Sequence, residues 1–360
     1  MSRARAIPLA AVTTAAAAVA VLLACGAFGS SGPTRSAAQS FLQRYVAADG
    51  RVARLDQGGD TVSEGQAYAM LVAAAEGEAA TFARIWGWTR ANLLQPDGLL
   101  AWHWQGGRVV DPSSAADGDL DAAWALLLAA QRFGNGGYRT AGLALGRAIL
   151  ARETVTIGGR AVLVAGDWAR SVPARVDPSY FAPAAFAALG RASGDPRWGQ
   201  LEASSRQILS QLTNRRTGLA PDWAVVGAGG TAWPTPPPGG SGEAVFGFDA
   251  VRVPLWQAAG CEAGDRELAA RSAPFLAKAA AGSPSAEYSL GGEPRGAAAG
   301  APFFVAAAAA SRAAGRPADA GALLVRAEAA EQAESTYYGA ALLALGRESL
   351  GPKGPLACQP

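Results

Sequence analysis

Histidine and cysteine are almost missing from this sequence, which has one histidine and three cysteines among 360 residues. Zinc sites in proteins are built mainly from these two residue types, so we expect no zinc centre here. Three cysteines are also too few to build a disulfide-based scaffold. We expect neither a metal ion nor any other cofactor.

An excess of charge is also missing. Lys and Arg number 31, and Asp and Glu number 29. Two of the basic residues, Arg3 and Arg5, lie in an N-terminal leader-like segment, and without them the two signs balance. The composition therefore gives no basic surface for nucleic acid, and no nucleic-acid partner is expected. Half of the positions are apolar, which is typical of a globular protein with a core.

The N-terminal segment has the pattern of an export signal. Arg3 and Arg5 precede an apolar, alanine-rich run over residues 7–23, and no charge follows until Arg35. A short basic end followed by an apolar centre is typical of a signal peptide. We predict that residues 1–25 form this signal.

The apolar run ends in a motif that resembles a bacterial lipoprotein cleavage box, LLACG at residues 22–26. It predicts that Cys25 is lipidated and becomes the mature N-terminus, with residues 26–36 as a flexible tether. Simple secretion, with cleavage near residues 24–31, and an uncleaved anchor helix are the alternatives. All three lead to an exported protein, extracellular or periplasmic, and the first restricts membrane contact to an N-terminal lipid anchor.

The two other cysteines, Cys261 and Cys358, lie far apart in the chain. An oxidising compartment would allow them to pair. The sequence leaves open whether their Cα atoms are close enough.

The chain beyond residue 37 has helical periodicity throughout, with apolar residues at three- and four-residue spacing. This pattern predicts about twelve helices, at approximately 36–47, 63–77, 79–94, 117–133, 137–152, 180–192, 195–213, 244–260, 264–281, 299–314, 317–331 and 335–349. No alternating stretch predicts a core strand, although residues 160–164 could be a hairpin arm.

The connectors between these helices alternate in length. Those before even-numbered helices are long and rich in Gly, Pro, Asp and Trp, as at 49–62, 95–116, 153–179 and 214–243. Six stacked hairpins with all long loops at one end favour an all-α (α/α)6 barrel, a single domain over 37–350 with a tail at 351–360. An open α-solenoid is the alternative, but no fixed-length repeat supports it.

Three acidic clusters follow the long loops at the starts of even-numbered helices, in 60–64, in 111–121 and at Asp249. Acidic residues often stabilise helix N-termini. That interpretation explains poorly the three acids in 117–121, which repel one another. A calcium loop there is disfavoured because its twelfth position is Leu128 rather than Glu. The clusters should therefore face one mouth of the barrel.

Aromatic residues accompany the acids in the long loops and at helix starts. They are Trp102, Trp104, Trp168, Tyr180, Trp223 and Trp233. A loop tryptophan can cover the core, but several beside a ring of carboxylates are typical of platforms for sugar rings. Carboxylates with such platforms are what glycoside hydrolysis requires, since one acid must donate a proton while another stays ionised.

At these residues the sequence resembles glycoside hydrolase family 8, the family of bacterial endoglucanases, xylanases and chitosanases. Its motifs are matched in order by SEGQAYAM at 63–70, AADGDLD at 115–121, DPSYF at 177–181, LAPDW at 219–223, FDAVR at 248–252 and YYG at 337–339. Ala67 and Ala69 replace glycines of the family pattern, and Ala116 replaces a Thr or Ser. The resemblance covers about residues 37–350.

The resemblance implies an (α/α)6 barrel and hydrolysis with inversion at the anomeric carbon. It implies Glu64 as general acid, Asp249 as general base and Asp117 as the residue that holds the central sugar in a distorted ring. The residues that we expect to bind substrate are Trp102, Trp104, Tyr180, Arg252, Trp223 and Tyr338.

We therefore predict a monomeric endo-β-1,4-glucanase whose partner is a β-linked polysaccharide. The same mechanism on xylan, chitosan or mixed-linkage glucan is one alternative. Another is a non-catalytic glycan-binding surface protein, against which the three intact carboxylates argue. Zinc-dependent toroids such as cyclases and prenyltransferases need Cys and His ligands that this chain lacks.

Overall fold

The computed structural model describes residues 36–351 and 354–358. The predicted signal peptide, Cys25 and nearly all of the predicted tether therefore lie outside the described residues. The α-helices of the described part are α1 (Ala37–Tyr45), α2 (Ser63–Glu76), α3 (Ala79–Asn92), α4 (Ala116–Phe133), α5 (Gly136–Arg152), α6 (Pro183–Ser193), α7 (Arg197–Leu212), α8 (Arg252–Ala258), α9 (Ala263–Arg271), α10 (Ala273–Ala281), α11 (Ala301–Ala313), α12 (Pro317–Ala333) and α13 (Tyr337–Leu350).

Six of these helices form a closed inner ring. Around the ring α2 packs on α4, α4 on α6, α6 on α8, α8 on α11, α11 on α13, and α13 returns to α2. Their faces are buried almost all round, and alanines let the helices approach one another closely. The predicted (α/α)6 barrel is confirmed, and the contact of α13 with α2 rules out an open solenoid.

The outer helices cover this ring and expose one face each. On the outside, α1 and α3 pack on α2, α5 packs on α4, α7 on α6, α9 on α8 and α11, and α12 on α11 and α13. Short connectors such as Gly77–Glu78 join helices at one end, which we call the base. The inner helices begin at the opposite end, the mouth, where the long connectors lie.

The long connectors contain short antiparallel strands that the sequence did not predict apart from the arm near 160–164. They are β1 (Thr61–Val62), β2 (His103–Gln105), β3 (Arg108–Asp111), β4 (Thr154–Ile157), β5 (Arg160–Leu163), β6 (Ala174–Val176), β7 (Trp223–Val226), β8 (Ala232–Thr235), β9 (Val245–Phe246), β10 (Ser285–Ser289) and β11 (Pro294–Ala298). They form three-stranded sheets in the orders β1-β2-β3, β6-β7-β8 and β11-β10-β9, and the pair β4-β5. These sheets give the loops at the mouth fixed shapes.

Two predicted helix boundaries are wrong. Helix α8 begins at Arg252 rather than near 244, because the preceding residues form β9 and a turn. The predicted helix 264–281 is divided at Ser272 into α9 and α10. Pro274 explains the break, since proline lacks an N–H and clashes with the preceding helical turn.

The C-terminal segment crosses the base of the barrel. Cys261 and Cys358 form a disulfide with a Cα–Cα distance of 5.1 Å, and the backbone N–H of Cys358 donates to the carbonyl of Ala259 over 2.9 Å. Residues 355, 357 and 358 lie beside the C-terminal half of α4. Among the described residues, no helix has both the length and the apolar character needed to cross a bilayer.

Candidate active site

One arginine connects the three carboxylates that the sequence singled out. The Arg252 Nη1 atom lies 2.6 Å from Glu64 Oε2 and 3.0 Å from Asp117 Oδ2. Its Nη2 atom lies 2.8 Å from Asp249 Oδ1. Glu64 opens α2, Asp117 opens α4 and Asp249 lies in the turn before α8, so three separate elements converge at the mouth.

Arg252 itself is 1% exposed and lies behind the carboxylates. Its guanidinium also contacts the Tyr68 hydroxyl at 3.0 Å and lies 5.4 Å from the centre of the Tyr180 ring. Asp177 is a further acidic neighbour, at 3.7 Å. One cation thus faces four carboxyl groups, which is the geometry of a site that tunes protonation.

Glu64 has the environment of a proton donor. Its side chain is 21% exposed, and burial raises its pKa to about 7. Arg252 opposes this rise, while the negative charges of Asp117 and Asp249 add to it. A large fraction of Glu64 is therefore protonated near neutral pH, as general-acid catalysis requires.

Asp249 is the most accessible of the three carboxylates, with its side chain 33% exposed. Arg252 holds its Oδ1 atom, and the indole N–H of Trp223 donates to its Oδ2 atom over 3.0 Å. The two contacts fix the orientation of the carboxyl group. An exposed carboxylate held in this way can take a proton from a water molecule.

Asp117 is buried at the N-terminus of α4. It accepts a hydrogen bond from the Gly118 N–H at 2.8 Å, and burial raises its pKa against the opposing charge of Arg252. A Cβ atom on Gly118 would lie 2.3 Å from the Ser63 Oγ atom. The glycine therefore allows the first turns of α2 and α4 to approach, which brings Asp117 close to Glu64.

The predicted aromatic residues have different surroundings. Tyr180 and Trp223 contact each other edge to face at 6.3 Å beside Asp249. The Tyr338 hydroxyl donates to the carbonyl of Phe248 over 2.6 Å, at the same turn. These three residues border the carboxylates.

Trp102 and Trp104 lie in the connector between α3 and α4, where β2 pairs with β1 just before Glu64. The Trp102 ring lies 4.7 Å from the His103 ring, and its indole donates a hydrogen bond that lowers the pKa of Asp111. Trp104 packs edge to face on Trp88 at 5.3 Å and belongs to the edge of the core. Trp102 is thus the more available of the two for a ligand.

Two other acids of the predicted clusters have structural partners. Asp60 accepts hydrogen bonds from Arg54 at 2.8 Å and from His103 at 2.9 Å, and burial opposes the lowering of its pKa by these partners. Asp111 accepts from the Ser113 N–H at 2.9 Å. Both stabilise the loops rather than join the carboxylates on Arg252.

The sequence assigned no role to several residues that the structure brings to the site. They are Tyr68, Asp177, Asp222, Phe248 and Tyr337. Phe248 is 56% exposed and lines a cleft of about 570 Å³ together with Glu64 and Asp249. All five lie inside the ordered motifs, which was the available signal. Within residues 36–351 and 354–358, no cluster of His, Cys, Asp and Glu has an arrangement that could hold a metal ion.

Several known proteins are similar to this chain in sequence and in fold. The model of the family "Glycosyl hydrolases family 8" matches residues 11–347. A protein of Novacetimonas hansenii named "Probable endoglucanase" is 33% identical over 66% of this chain and 70% of its own length. An endoglucanase of Cellulomonas uda is 30% identical over 62% of each chain. The chain thus spans about two thirds of the length of these relatives.

Solved structures agree with this relationship. The endo-β-1,4-glucanase of Acetobacter xylinum superposes with a TM-score of 0.73 at 27% identity, over 86% of this chain and 96% of that one. The family match, the closed ring of helices and the carboxylates at its mouth are mutually consistent. The chain belongs to family 8 of the glycosyl hydrolases.

Proposed function

We propose that this protein is an endo-β-1,4-glucanase that hydrolyses its substrate with inversion. The observation that carries the proposal is the shared guanidinium of Arg252. It holds Glu64, whose pKa is raised to about 7, and the more exposed Asp249 on different nitrogens. An acid that retains its proton and a carboxylate that can accept one therefore face the same cleft.

In the proposed reaction, Glu64 donates its proton to the glycosidic oxygen as the bond from that oxygen to the anomeric carbon breaks. A water molecule attacks this carbon from the opposite face, and Asp249 takes the proton of the water. Room for that water requires the two carboxyl groups to be roughly 6.5–9.5 Å apart, against about 5–5.5 Å in a retaining enzyme. Exchange of protons with solvent then restores both groups.

The proposed substrate is a β-1,4-linked glucan. The supporting observations are the endoglucanase relatives and the open cleft with aromatic side chains along it. Trp102, Tyr180, Trp223 and Tyr338 are the residues proposed to contact sugar rings. Asp117, close to Glu64 on Arg252, is proposed to hold the sugar whose bond breaks.

Conservative substitutions test the two roles. Glu64→Gln and Asp249→Asn keep the shape of the side chains, so each should lower kcat by about 10²–10⁴-fold while substrate binding persists. Asp265 is a buried acid at the base end of the barrel, so Asp265→Asn serves as the matched control and should retain activity. Proton NMR early in hydrolysis should show the α-anomer first. Appearance of the β-anomer first, or near wild-type turnover of Asp249→Asn, would contradict the assignment.

We also propose export with lipid attachment at Cys25. The lipoprotein-like motif at 22–26 supports it, as does the Cys261–Cys358 disulfide, since such bonds persist in oxidising compartments. Cells fed a fatty-acid probe should label the wild-type protein and not Cys25→Ser. Equal labelling of both proteins, or of neither, would rule out the anchor.

A further inference from the structure

We propose that Asp222 is a positioning residue for the general base, because its carboxyl group fixes the turn that carries Asp249. This inference rests on the proposed role of Asp249. It concerns a residue outside the group of acids that contact Arg252.

The first observation is that one oxygen of Asp222 holds both sides of the turn. Asp222 Oδ1 accepts the N–H of Gly247 at 2.8 Å and the N–H of Ala250 at 2.7 Å. These residues lie two positions before and one position after Asp249. Because both N–H groups point at the same atom, the backbone that carries Asp249 has little freedom to rotate.

The second observation is how closely the turn approaches Asp222. A Cβ atom on Gly247 would lie 2.6 Å from Asp222 Oδ2, so a residue with a side chain would push the two apart. Asp222 is itself fixed, since its N–H donates to the carbonyl of Val245 over 2.8 Å. The carboxyl group is therefore attached to the frame of the mouth.

The third observation concerns the neighbouring residue. Trp223 donates to Asp249 Oδ2, while Arg252 holds Asp249 Oδ1. Two consecutive residues at the start of β7 thus hold the general base Asp249. Asp222 binds the backbone of the turn that carries Asp249, and Trp223 binds the Asp249 carboxylate. Displacement of a reacting group by about 1 Å can cost about 10²-fold in rate, so loss of the backbone contact should be visible in kcat.

The experiment compares Asp222→Ala with Asp222→Asn. The alanine variant should lower kcat by about 10²-fold with little change in KM, because it frees the turn. The asparagine variant keeps an oxygen that can accept the same two N–H groups, so it should recover most of the turnover. Gly247→Ala should also lower kcat, and it keeps Asp222 intact if the alanine variant at 222 folds poorly.

Asp265→Ala is the matched control. Asp265 is also a buried acid that accepts a backbone N–H, that of Glu262 at 3.2 Å. It differs in position, because it caps α9 at the base end of the barrel. This variant should lose thermal stability and keep kcat. If it lost as much turnover as Asp222→Ala, the effect would be general destabilisation, and the proposal would be wrong.

A double-mutant cycle with Asp249→Asn separates positioning from direct action on substrate. If Asp222 acts through Asp249, Asp222→Ala should lower the residual kcat of Asp249→Asn by less than about 3-fold, far below its effect in the wild type. Multiplication of the two effects, or an asparagine variant at 222 as slow as the alanine variant, would overturn the proposal. Failure of the proposed function is distinguishable, because Asp249→Asn alone would then remain active.

Discussion

Asp117 and Asp119 are buried at the start of α4, two residues apart, and each faces an acid from another element, but the two pairs differ in how their charge is balanced. Asp117 shares Arg252 with Glu64. Asp119 instead faces Glu153, and the charges that act most on these two acids are those of other carboxyl groups. Burial raises the pKa in both pairs, to about 7 for Glu64 and about 8 for Glu153.

An acid in the interior can be stabilised by a nearby cation or by keeping its proton, and the two pairs differ in which of these two ways applies. Beside Arg252, Glu64 can exchange its proton near neutral pH, as general-acid catalysis needs. Burial raises the pKa of both Asp119 and Glu153, and the charge of Glu153 adds to the rise at Asp119, while the Leu100 N–H donates to Asp119 at 2.8 Å and the Ser114 hydroxyl donates to Glu153 at 2.6 Å. This second pair joins two long connectors to α4.

Removal of Arg252, the cation of the first pair, should have the largest effect on stability and turnover. Arg252→Met leaves its carboxyl neighbours without their shared positive charge, so we expect a loss of about 3–5 kcal/mol in the free energy of unfolding. We also expect kcat to fall by about 10³-fold, because the electrostatic arrangement of the site is lost. Arg347→Met, which removes a partner of the surface acid Glu328, should cost at most about 1 kcal/mol in urea unfolding. Similar losses in both variants would contradict the central role of Arg252.

Asp117→Asn and Asp119→Asn are a matched pair of variants, because the two residues flank Gly118 in the first turn of α4. Loss of the Asp117 charge removes one cause of the raised pKa of Glu64, so that pKa should fall. Since Glu64 acts in its protonated form, the alkaline limb of the kcat profile should move to lower pH, and kcat should drop by about 10²-fold. Asp119→Asn should leave the limb where it is. An equal shift in both variants would refute the separation of the two pairs.

Glu153→Gln should change how stability depends on pH. The pKa of Glu153 is raised from 4.5 to about 8. Between about pH 4.5 and pH 8 the folded protein therefore keeps a proton that the unfolded chain has released. Its contribution to stability is full below about pH 4.5 and is lost as the pH rises towards 8, at about 1.4 kcal/mol per pH unit. The variant should flatten this slope, as measured by urea unfolding from pH 5 to 9. A slope equal to that of the wild type would show that the pair does not hold the proton.

The smallest expected effect concerns Trp102 and Trp104, the aromatic residues in the connector between α3 and α4. Trp102→Ala should weaken oligosaccharide binding by about 0.5–1.5 kcal/mol with little change in Tm, by analogy with the stacking of aromatic pairs. Trp104→Ala should instead lower Tm, since Trp104 packs on Trp88. Calorimetric titration and thermal melts would check both. Unchanged binding together with a large stability loss in Trp102→Ala would assign that residue to the core.

Local patterns in the sequence predicted the helices and their ring, because the apolar spacing and the alternation of connectors are read directly along the chain. The contacts that complete the site are not local. Arg252 and Asp249 are only three residues apart in the chain, but the contact of Arg252 with Glu64 spans 188 positions. The start of α8 was missed for the same reason, since Asp222, 25 residues before Gly247, holds the turn.

The short strands and the second acid pair were also beyond local patterns. Strands of two to five residues are too short to show a clear alternation, and they are set by pairing with distant partners. Asp119 lay in a predicted acidic cluster, but its partner Glu153 follows α5 and carried no signal of its own. Burial and pairing of this kind depend on the assembled barrel.

The disulfide across the base has a consequence for the seam of the ring. In a toroid the first and last hairpins must meet without a peptide bond between them, and here α13 packs on α1 and α2 to close the ring. The bond between Cys261 and Cys358 encloses α9–α13 in a covalent loop with a sequence separation of 97. Separation of the C-terminal end of α13 from α2 would therefore also have to move residues 354–358, which the disulfide ties to the segment after α8.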